Sequence, residues 1–376
     1  MKIVFVYWGY DDAGSMLDLQ GYQRAALDIG HEVIVYGPPN PRHELLYSKV
    51  LDDADAVVFV FEWTTCLKHG DLLDWVRLVA SIPRRRRVVI DCDGAYNAPI
   101  EVDGDYNHTS TAGRMSWVGS KWADERFGRT TEYVDAEASS RAWIEFCDSL
   151  SDKILQPTPR PRRANVGTFF FHIYDPTWET PLDFTHKELD MVYVGHTKFR
   201  WHGMSRVLRA VEPVRDRLGR IALVGEGWAK PSPKHTMAAF EDNFYCDRSY
   251  LAKLGVEALP PVPFSQVIGT MSRAVFNPVI YRPLFAHLEM VTCRTFETAA
   301  AGTIPLFLLG EDYIREIYGE RATALCLGDQ RAPEKVLDVL ARPGDYAQIV
   351  HEVRRSFARL HSPRARLREL LDIIEG

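Results

Sequence analysis

Two glutamates, Glu289 and Glu297, are separated by seven residues and lie on either side of a predicted junction between a loop and a helix. A helix start presents N–H groups and the positive end of the helix dipole, which suits a diphosphate. A carboxylate on the first turns can accept hydrogen bonds from ribose hydroxyls, and one eight positions upstream can face an attached sugar. The alternative is an ordinary amphipathic helix whose Glu297 only favours its own N-terminus. The spacing makes residues 285–305 the first candidate site.

The residues around these glutamates, F-A-H-L-E-M-V-T-C-R-T-F-E-T-A-A-A-G-T-I-P, resemble the Glu-x7-Glu signature of retaining GT-B glycosyltransferases of family 4. The R-T-F-E at 294–297 is nearest the CgeB-like (spore maturation protein) branch. The resemblance implies transfer of a sugar from a nucleotide-diphosphate sugar, with retention of configuration and without a metal or other cofactor. It implies that Glu297 binds the donor ribose, that Glu289 is catalytic and orients the sugar hydroxyls, and that Arg294 and Thr295 bind the donor.

A second motif, D-M-V-Y-V-G-H-T-K-F-R-W-H-G at 190–203, resembles the start of the C-terminal domain in the same family. There, basic residues neutralise the leaving diphosphate, and preformed cations lower the barrier to its departure. The resemblance gives this catalytic role to Lys198 and Arg200, and a position near the nucleotide to Gly225 and Glu226. The alternative is a solvated basic loop.

A third stretch, residues 261–278, matches the family by position alone. Val262 and Phe264 would hold the donor base, and Asn277 would line the floor of the site. The alternative is plain helix and strand core. The donor is expected to be a UDP-sugar, with GDP- or dTDP-sugars as further possibilities.

The acceptor side belongs to the N-terminal half, where polar residues follow predicted strands. Paired aspartates such as those in D-C-D-G-A-Y-N could bind hydroxyls, cap a turn or ligate a metal, although relatives of this fold need no metal. A histidine in this domain contacts the donor sugar in some relatives, which makes His108 a catalytic candidate; an exposed loop histidine is the alternative. The acceptor-side candidates are Asp91, Asp93, Tyr96, Asn97, Glu62 and Asp11.

The elements that must position these residues are short apolar strands alternating with amphipathic helices, the pattern of parallel sheets covered on both faces. The predicted fold class is α/β, namely GT-B: two Rossmann-like, doubly wound parallel-sheet domains face a cleft, and the C-terminal helix crosses back to the N-terminal domain. The expected domains are 1–178 for the acceptor and 179–359 for the nucleotide sugar, with the returning helix at about 360–376. Strands are predicted at 3–7, 32–36, 56–61, 87–90, 153–156, 167–173, 191–194, 221–224, 274–276 and 304–308. Helices are predicted at 17–29, 206–216, 264–271, 294–301, 312–318, 346–359 and 363–374.

Composition excludes several classes of protein. The 376 residues are 46% hydrophobic and 26% charged, which excludes a mostly disordered chain, and the net charge of −6 argues against a dedicated nucleic-acid coat. No two of the six cysteines are close enough for a C-x-x-C zinc or redox site. The apolar runs are far shorter than the ~20 residues that span a bilayer. Without a recognisable signal peptide, the protein is expected to be cytoplasmic, as a monomer or homodimer.

The four arginines at 84–87, with Arg160, Arg162 and Arg163, form a possible basic patch. A solvated face is the simplest interpretation, and an anionic membrane or a nucleic-acid acceptor are the others. The predicted function is glycosyl transfer to a small molecule, natural product or glycan. The alternatives are a nucleotide-sugar-binding scaffold, a GT-B epimerase, or a DNA-glycosylating enzyme.

Overall fold

The computed structural model describes residues 1–7, 14–37, 49–61, 81–92, 94, 101–103, 114–116, 148–197, 200–231, 245–328 and 331–376. Within these ranges the chain forms two parallel β-sheets, each packed against helices, as the sequence predicts. Parallel strands need crossover connections, and the helices that make them cover the faces of the sheets.

The first sheet has the order β2-β1-β3-β4-β7-β8, and every neighbouring pair is parallel. Strand β1, between β2 and β3, is fully buried from Ile3 to Tyr7 because helices pack against it. A separate antiparallel pair consists of β5 and β6. The strands are β1 Lys2–Tyr7, β2 Glu32–Tyr36, β3 Ala56–Phe61, β4 Arg87–Asp91, β5 Glu101–Asp103, β6 Arg114–Ser116, β7 Ile154–Gln156 and β8 Val166–Thr168.

The second sheet has the order β11-β10-β9-β12-β13, again all parallel. Every residue of β10, β12 and β13 is buried, which explains why these strands are apolar almost throughout. The three-residue edge strand β11 has no counterpart among the predicted strands. The strands are β9 Leu189–Val194, β10 Ile221–Val224, β11 Glu257–Leu259, β12 Ala274–Val279 and β13 Ile304–Phe307.

One predicted strand is wrong over most of its length. The strand predicted at 167–173 leaves the sheet after Thr168. Phe169, Phe171 and Ile173 are nevertheless fully buried in the first core. Their alternation with less buried neighbours has the period of a strand, although the backbone forms no ladder there.

Five of the seven predicted helices agree with helices of the structure to within a few residues, and two differ. Four further helices were not predicted: Lys49–Asp52, Arg248–Lys253, Pro283–His287 and Ala332–Ala341. The helix predicted at 206–216 is α3 followed by a 3-10 segment, Glu212–Arg217, because proline enters at its start. The helix predicted at 264–271 is likewise a 3-10 turn, Phe264–Gln266, followed by α5. No helix of the described residues is long and apolar enough to cross a membrane. The helices are α1 Gly14–Asp28, α2 Lys49–Asp52, α3 Trp201–Val211, α4 Arg248–Lys253, α5 Val267–Met271, α6 Pro283–His287, α7 Cys293–Ala300, α8 Glu311–Tyr318, α9 Ala332–Ala341, α10 Pro343–Leu360 and α11 Pro363–Glu375.

The last helix, α11, returns to the first half of the chain, as predicted. Leu367 and Leu370 are fully buried in the core cluster that contains Tyr22 of α1. At the crossing, the Tyr174 N–H donates to the carbonyl of His361 at 2.8 Å. The predicted division of the chain at residue 178 falls at the end of the 3-10 turn Pro176–Trp178 and stays a prediction.

Candidate active site

A cavity of about 220 Å³ lies between the first half of the chain and the second. The halves are close here: a Cβ on Gly14 would lie 2.8 Å from Cζ of Phe264. The walls are mainly apolar, with two carboxylates among them. A few polar groups in an apolar cleft are typical of ligand sites. The lining residues are Gly14, Leu17, Asp18, Ile173, Trp178, Phe264, Ser265, Ile268, Cys293 and Glu297.

Glu297 is the carboxylate that the second half contributes to this cavity. Its side chain is only 4% exposed, and Arg294 Nη1 lies 3.2 Å from its Oε2. Neither carboxylate oxygen has a hydrogen-bond partner among the residues that the structure describes. A buried carboxylate without hydrogen bonds is costly, so its occurrence beside a cavity marks a place for a ligand's donors.

Helix α7, which carries Glu297, is fixed at its N-terminal end by buried hydroxyls. Thr295 is fully buried, and its Oγ1 lies 2.5 Å from the hydroxyl of Tyr281. The same Oγ1 accepts a hydrogen bond from the Thr292 N–H at 3.3 Å. The Thr295 hydroxyl thus positions the start of the helix, and the predicted role of Thr295 in donor binding stays a prediction.

The C-terminal end of α7 is fixed against the segment that joins the halves. A Cβ on Gly302 would lie 2.2 Å from the carbonyl oxygen of Pro181, so this position of the motif needs glycine. The Gly302 N–H donates to Thr180 Oγ1 at 2.5 Å. Arg354, 5% exposed, donates to the carbonyls of three successive residues at the helix end, 299, 300 and 301. A cation at this end also complements the helix dipole.

Glu289, the other glutamate of the motif, does not line the cavity. Its backbone has a left-handed φ of 54°, which is uncommon for a residue with a Cβ. Its carboxylate forms an ion pair with Arg160, which reaches over from the first half and also pairs with Glu316 of α8. The structure thus places the two glutamates in different surroundings.

The carboxyl ends of β9 and β10 approach each other very closely. A Cβ on Gly225 would lie 2.3 Å from the carbonyl oxygen of Gly195, so the position that follows β10 needs glycine. The Glu226 N–H donates to Nδ1 of His196 at 3.0 Å. Arg200 lies at the N-terminus of α3, and its N–H donates to the carbonyl of Thr197. The sheet thus brings Arg200, Gly225 and Glu226 to its carboxyl edge, where open α/β sheets bind ligands.

The three residues predicted around the donor base have unequal exposure. Phe264 lines the cavity, and Val262 packs beside it against the core cluster of β9 and α5. Asn277 is 1% exposed and donates to Sδ of Met271 at 3.4 Å. Its Oδ1 is buried without a hydrogen bond to any described residue. Asn277 is therefore packed within the second half and is not among the residues that line the cavity, so its predicted place on the floor of the donor site stays a prediction.

Most of the predicted acceptor side lies outside the described residues. Asp91 is the exception, and it is fully buried at the end of β4. The amide nitrogen of Gln156 on the neighbouring strand donates to its Oδ2 at 2.7 Å. The structure therefore shows Asp91 joining two strands and not facing open solvent. The predicted residues outside the described ranges are Lys198, His108, Asp93, Tyr96, Asn97, Glu62 and Asp11.

Sequence reasoning missed a buried acid–base pair beside the cavity. Asp18 of α1 lines it, and Nδ1 of His172 lies 2.5 Å from Asp18 Oδ2. The Ile173 N–H donates to the other carboxylate oxygen at 3.1 Å. Burial raises the pKa of Asp18, and the histidine offsets this only in part. The partners are 154 positions apart, so no local spacing could reveal them.

The predicted basic patch is largely occupied by the protein itself. Arg84 pairs with Asp152, and Arg163 pairs with Asp148. Arg86 donates to the carbonyls of residues 51 and 52, and Arg87 to those of residues 82 and 150. These arginines join the segments around the amino-terminal end of β4, so the free cationic surface there is smaller than the sequence indicates. The described residues contain no group of three His, Cys, Asp or Glu that could hold a metal.

Comparison with known proteins addresses the class of this site. Residues 206–372 match a family model described as "Glycosyl transferase-like". Comparison with curated proteins finds no sequence match.

Three solved structures resemble the chain over its whole length. T4 phage BGT in complex with UDP-glucose is 14% identical, with a TM-score of 0.56 and full coverage of both chains. T4 phage BGT with UDP and Mn²⁺ is 12% identical, with a TM-score of 0.54 and the same coverage. An alpha-glucosyltransferase in complex with UDP and a mismatched DNA 13-mer is 13% identical, with a TM-score of 0.58, covering 100% of this chain and 99% of that one.

At these identities the likeness shows the fold, and the family model adds the enzyme class. The chain has the two-sheet GT-B architecture that the sequence predicts, and its second half carries a glycosyl transferase-like domain. The predictions of a GT-B fold and of an enzyme of the glycosyltransferase class are confirmed.

Proposed function

We propose that the protein transfers a glycosyl group from a UDP-sugar to an acceptor hydroxyl in the cleft between its halves. The observation that carries this proposal is the nearly enclosed carboxylate of Glu297, which lines the cavity without a hydrogen bond from the described residues. Ribose hydroxyls would supply the missing donors. UDP and UDP-glucose are the ligands of the structural neighbours, which supports the choice of donor.

The diphosphate of the donor would lie at the start of α7 and not against the two cavity carboxylates, which repel an anion. Arg294 reaches that end of the helix, with its side chain 21% exposed and paired to Glu297. Arg200, together with Lys198, would stabilise the charge that develops as the diphosphate leaves. Glu289 would orient the sugar hydroxyls, and Phe264 would pack against the donor.

We propose further that the enzyme is a family 4, CgeB-like transferase that retains the configuration and needs no metal. The Glu-x7-Glu frame supports retention, but the neighbours are named for both anomers, beta and alpha, so the fold allows either outcome. In an inverting reaction, the buried pair of Asp18 and His172 beside the cavity could supply a base. NMR of the anomeric proton in the product distinguishes the two: a product of inverted configuration contradicts our proposal and directs attention to Asp18 and His172.

DNA is the second candidate acceptor because one neighbour is bound to a DNA 13-mer. The arginines at and near 84–87 are bonded within the protein, which weighs against a large phosphate-binding face. We therefore favour a small molecule or glycan as the acceptor. Salt-dependent binding to duplex DNA, with a slope that rises with the number of phosphate contacts, would favour the DNA acceptor instead.

The first experiment is a thermal-shift panel with UDP, GDP, dTDP, ADP and CMP, followed by the matching sugars with EDTA or Mn²⁺. A ligand at ~100 times its dissociation constant stabilises the folded state by about 2.7 kcal/mol, a shift of a few degrees. We expect UDP and UDP-sugars to stabilise the protein in EDTA. Stabilisation that requires Mn²⁺ contradicts metal independence, and a flat panel contradicts the donor site. UDP release that rises when an acceptor is added distinguishes transfer from epimerisation or simple binding.

A further inference from the structure

The turn that carries Glu289 is held in a conformation that its own sequence disfavours. Among the described residues other than glycine, Glu289 is the one with a positive φ, 54°. A side chain with a Cβ persists in this region only where surrounding contacts fix the backbone, and such positions cluster at functional sites. The contacts that fix this turn therefore bear on what Glu289 does.

Part of the fixation comes from the other half of the chain. Thr158, 2% exposed, donates from its hydroxyl to the carbonyl of Leu288 at 2.7 Å. The Val291 N–H donates to the carbonyl of Pro157 at 2.6 Å. Residues 157 and 158 follow β7 of the first sheet, so the first half forms hydrogen bonds with the turn on both sides of Glu289.

Arg160, from the same segment of the first half, also binds the side chain of Glu289. One guanidinium nitrogen pairs with Glu289 Oε2, and another pairs with Glu316 of α8. The Arg160 side chain is 52% exposed, and its second ion pair, with Glu316, adds a further constraint on the direction of the guanidinium. A planar guanidinium can bind two carboxylates in fixed directions, which an ammonium group cannot do equally well. The pairing uses Oε2 and leaves acceptor capacity on Oε1 for a hydroxyl.

We propose that Arg160 is the positioning residue of Glu289: the acceptor half of the chain reaches across and sets the direction of the sugar-facing carboxylate. This inference rests on the proposed function, in which Glu289 orients the transferred sugar. The two glutamates would then be positioned by different parts of the chain: Glu289 by the first half, and Glu297 by the second half and the joining segment. Arg160 itself touches no substrate in this arrangement and acts through Glu289.

A double-mutant cycle tests the proposal. UDP release from UDP-glucose, or from whichever nucleotide sugar stabilises the protein most, is measured for the wild type, Arg160→Gln, Glu289→Ala and the double variant. We expect Arg160→Gln to lower kcat about 10- to 100-fold, the usual range for losing a hydrogen bond to a charged group, while UDP affinity is unchanged. In the Glu289→Ala background the same substitution should have almost no further effect. Arg160→Lys should recover part of kcat because it keeps the charge but not the fork.

Arg163→Gln is the matched control, since Arg163 lies on the same segment but pairs with Asp148. It should leave kcat unchanged. An equal loss of kcat on Arg160→Gln in both backgrounds, or a loss of UDP affinity in step with kcat, would overturn the proposal in favour of a purely structural role. If the wild type neither binds UDP nor turns over any sugar of the panel, the proposed function fails first, and the role of Arg160 fails with it.

Discussion

The two glutamates of the motif occupy opposite kinds of environment. Glu297 is almost completely buried on a regular helix and has no hydrogen bond from the described residues. Glu289 is 29% exposed at its side chain, sits on a left-handed turn and is paired with Arg160. Glu297 has an ion pair with Arg294 but no hydrogen bond from the described residues, and its backbone is helical; Glu289 has a close partner in Arg160, and its backbone is in a disfavoured conformation.

This difference shows two ways of preparing a carboxylate for a ligand. At Glu297 the protein withholds hydrogen bonds, so a bound ligand gains the full benefit of supplying them. At Glu289 the protein supplies a cation and fixes the backbone, so the carboxylate is already aimed before a ligand arrives. Preorganisation of this second kind favours catalysis, and the first kind favours affinity.

The largest effect we expect separates the glutamates by affinity. Glu297→Gln should weaken UDP binding about 10- to 100-fold, because the bonds to a charged acceptor are lost. Glu289→Gln should leave UDP affinity unchanged, since its proposed contacts are to the sugar. Isothermal titration calorimetry with UDP checks both, and equal affinities for the two variants would contradict the comparison.

An intermediate effect concerns how the free energy of unfolding depends on pH, through His361, which packs against the helix that carries Glu297. Burial, with the Arg366 charge, lowers the pKa of His361 to about 3, and its ring lies 5.2 Å from that of Phe296, next to Glu297. The unfolded chain therefore binds a proton between about pH 6.5 and 3 that the folded protein does not, so stability falls as the pH falls through this range. The loss is at most about 1.4 kcal/mol per pH unit.

The variant His361→Phe, which keeps an aromatic ring but cannot bind a proton, should flatten this dependence. Its unfolding temperature should change less than that of the wild type between pH 7 and pH 4. The comparison of the two proteins cancels the contribution of the other titrating groups. Parallel curves would show that His361 is not the group responsible.

The smallest effect is on stability alone. Glu289→Gly removes the cost of the left-handed backbone, about 1–2 kcal/mol, against the loss of a partly exposed ion pair and the greater freedom of the unfolded chain. The net change should be close to zero. Glu297→Gly places glycine in a helix interior and should cost about 1 kcal/mol. Urea unfolding of both variants measures the difference, and equal losses would mean that the turn at Glu289 is not strained.

What the sequence predicted well is local. Glu297 and Gly302 are joined by one helix and the turn after it, so their spacing in the motif predicts the helix. The same motif contains the glycine that lies against the carbonyl of Pro181. The alternation of apolar runs likewise predicts both sheets. The two sheets and the helix that carries Glu297 could thus be predicted because they depend on residues close together in the sequence.

What the sequence could not predict depends on distant partners. Asp91 and Thr295 are polar residues at the ends of elements, a position that predicts a ligand contact. The structure shows that their side chains also bond to Gln156 and Tyr281, which only the fold brings near. The same holds for Arg160, whose partners lie 129 and 156 positions away. A polar residue at the end of a strand or helix often forms hydrogen bonds within the protein, and the sequence alone does not show which of its bonds are internal.

The return of α11 to the first half has a practical consequence for cutting this protein into parts. A fragment that stops near residue 178 would lose Leu367, Leu370 and Leu371 and expose the face of α1 that they cover. A fragment that begins near residue 179 would carry those leucines without a surface to bury them. Expression of the first half alone therefore calls for a permuted gene, with residues 363–375 joined to it by a flexible linker.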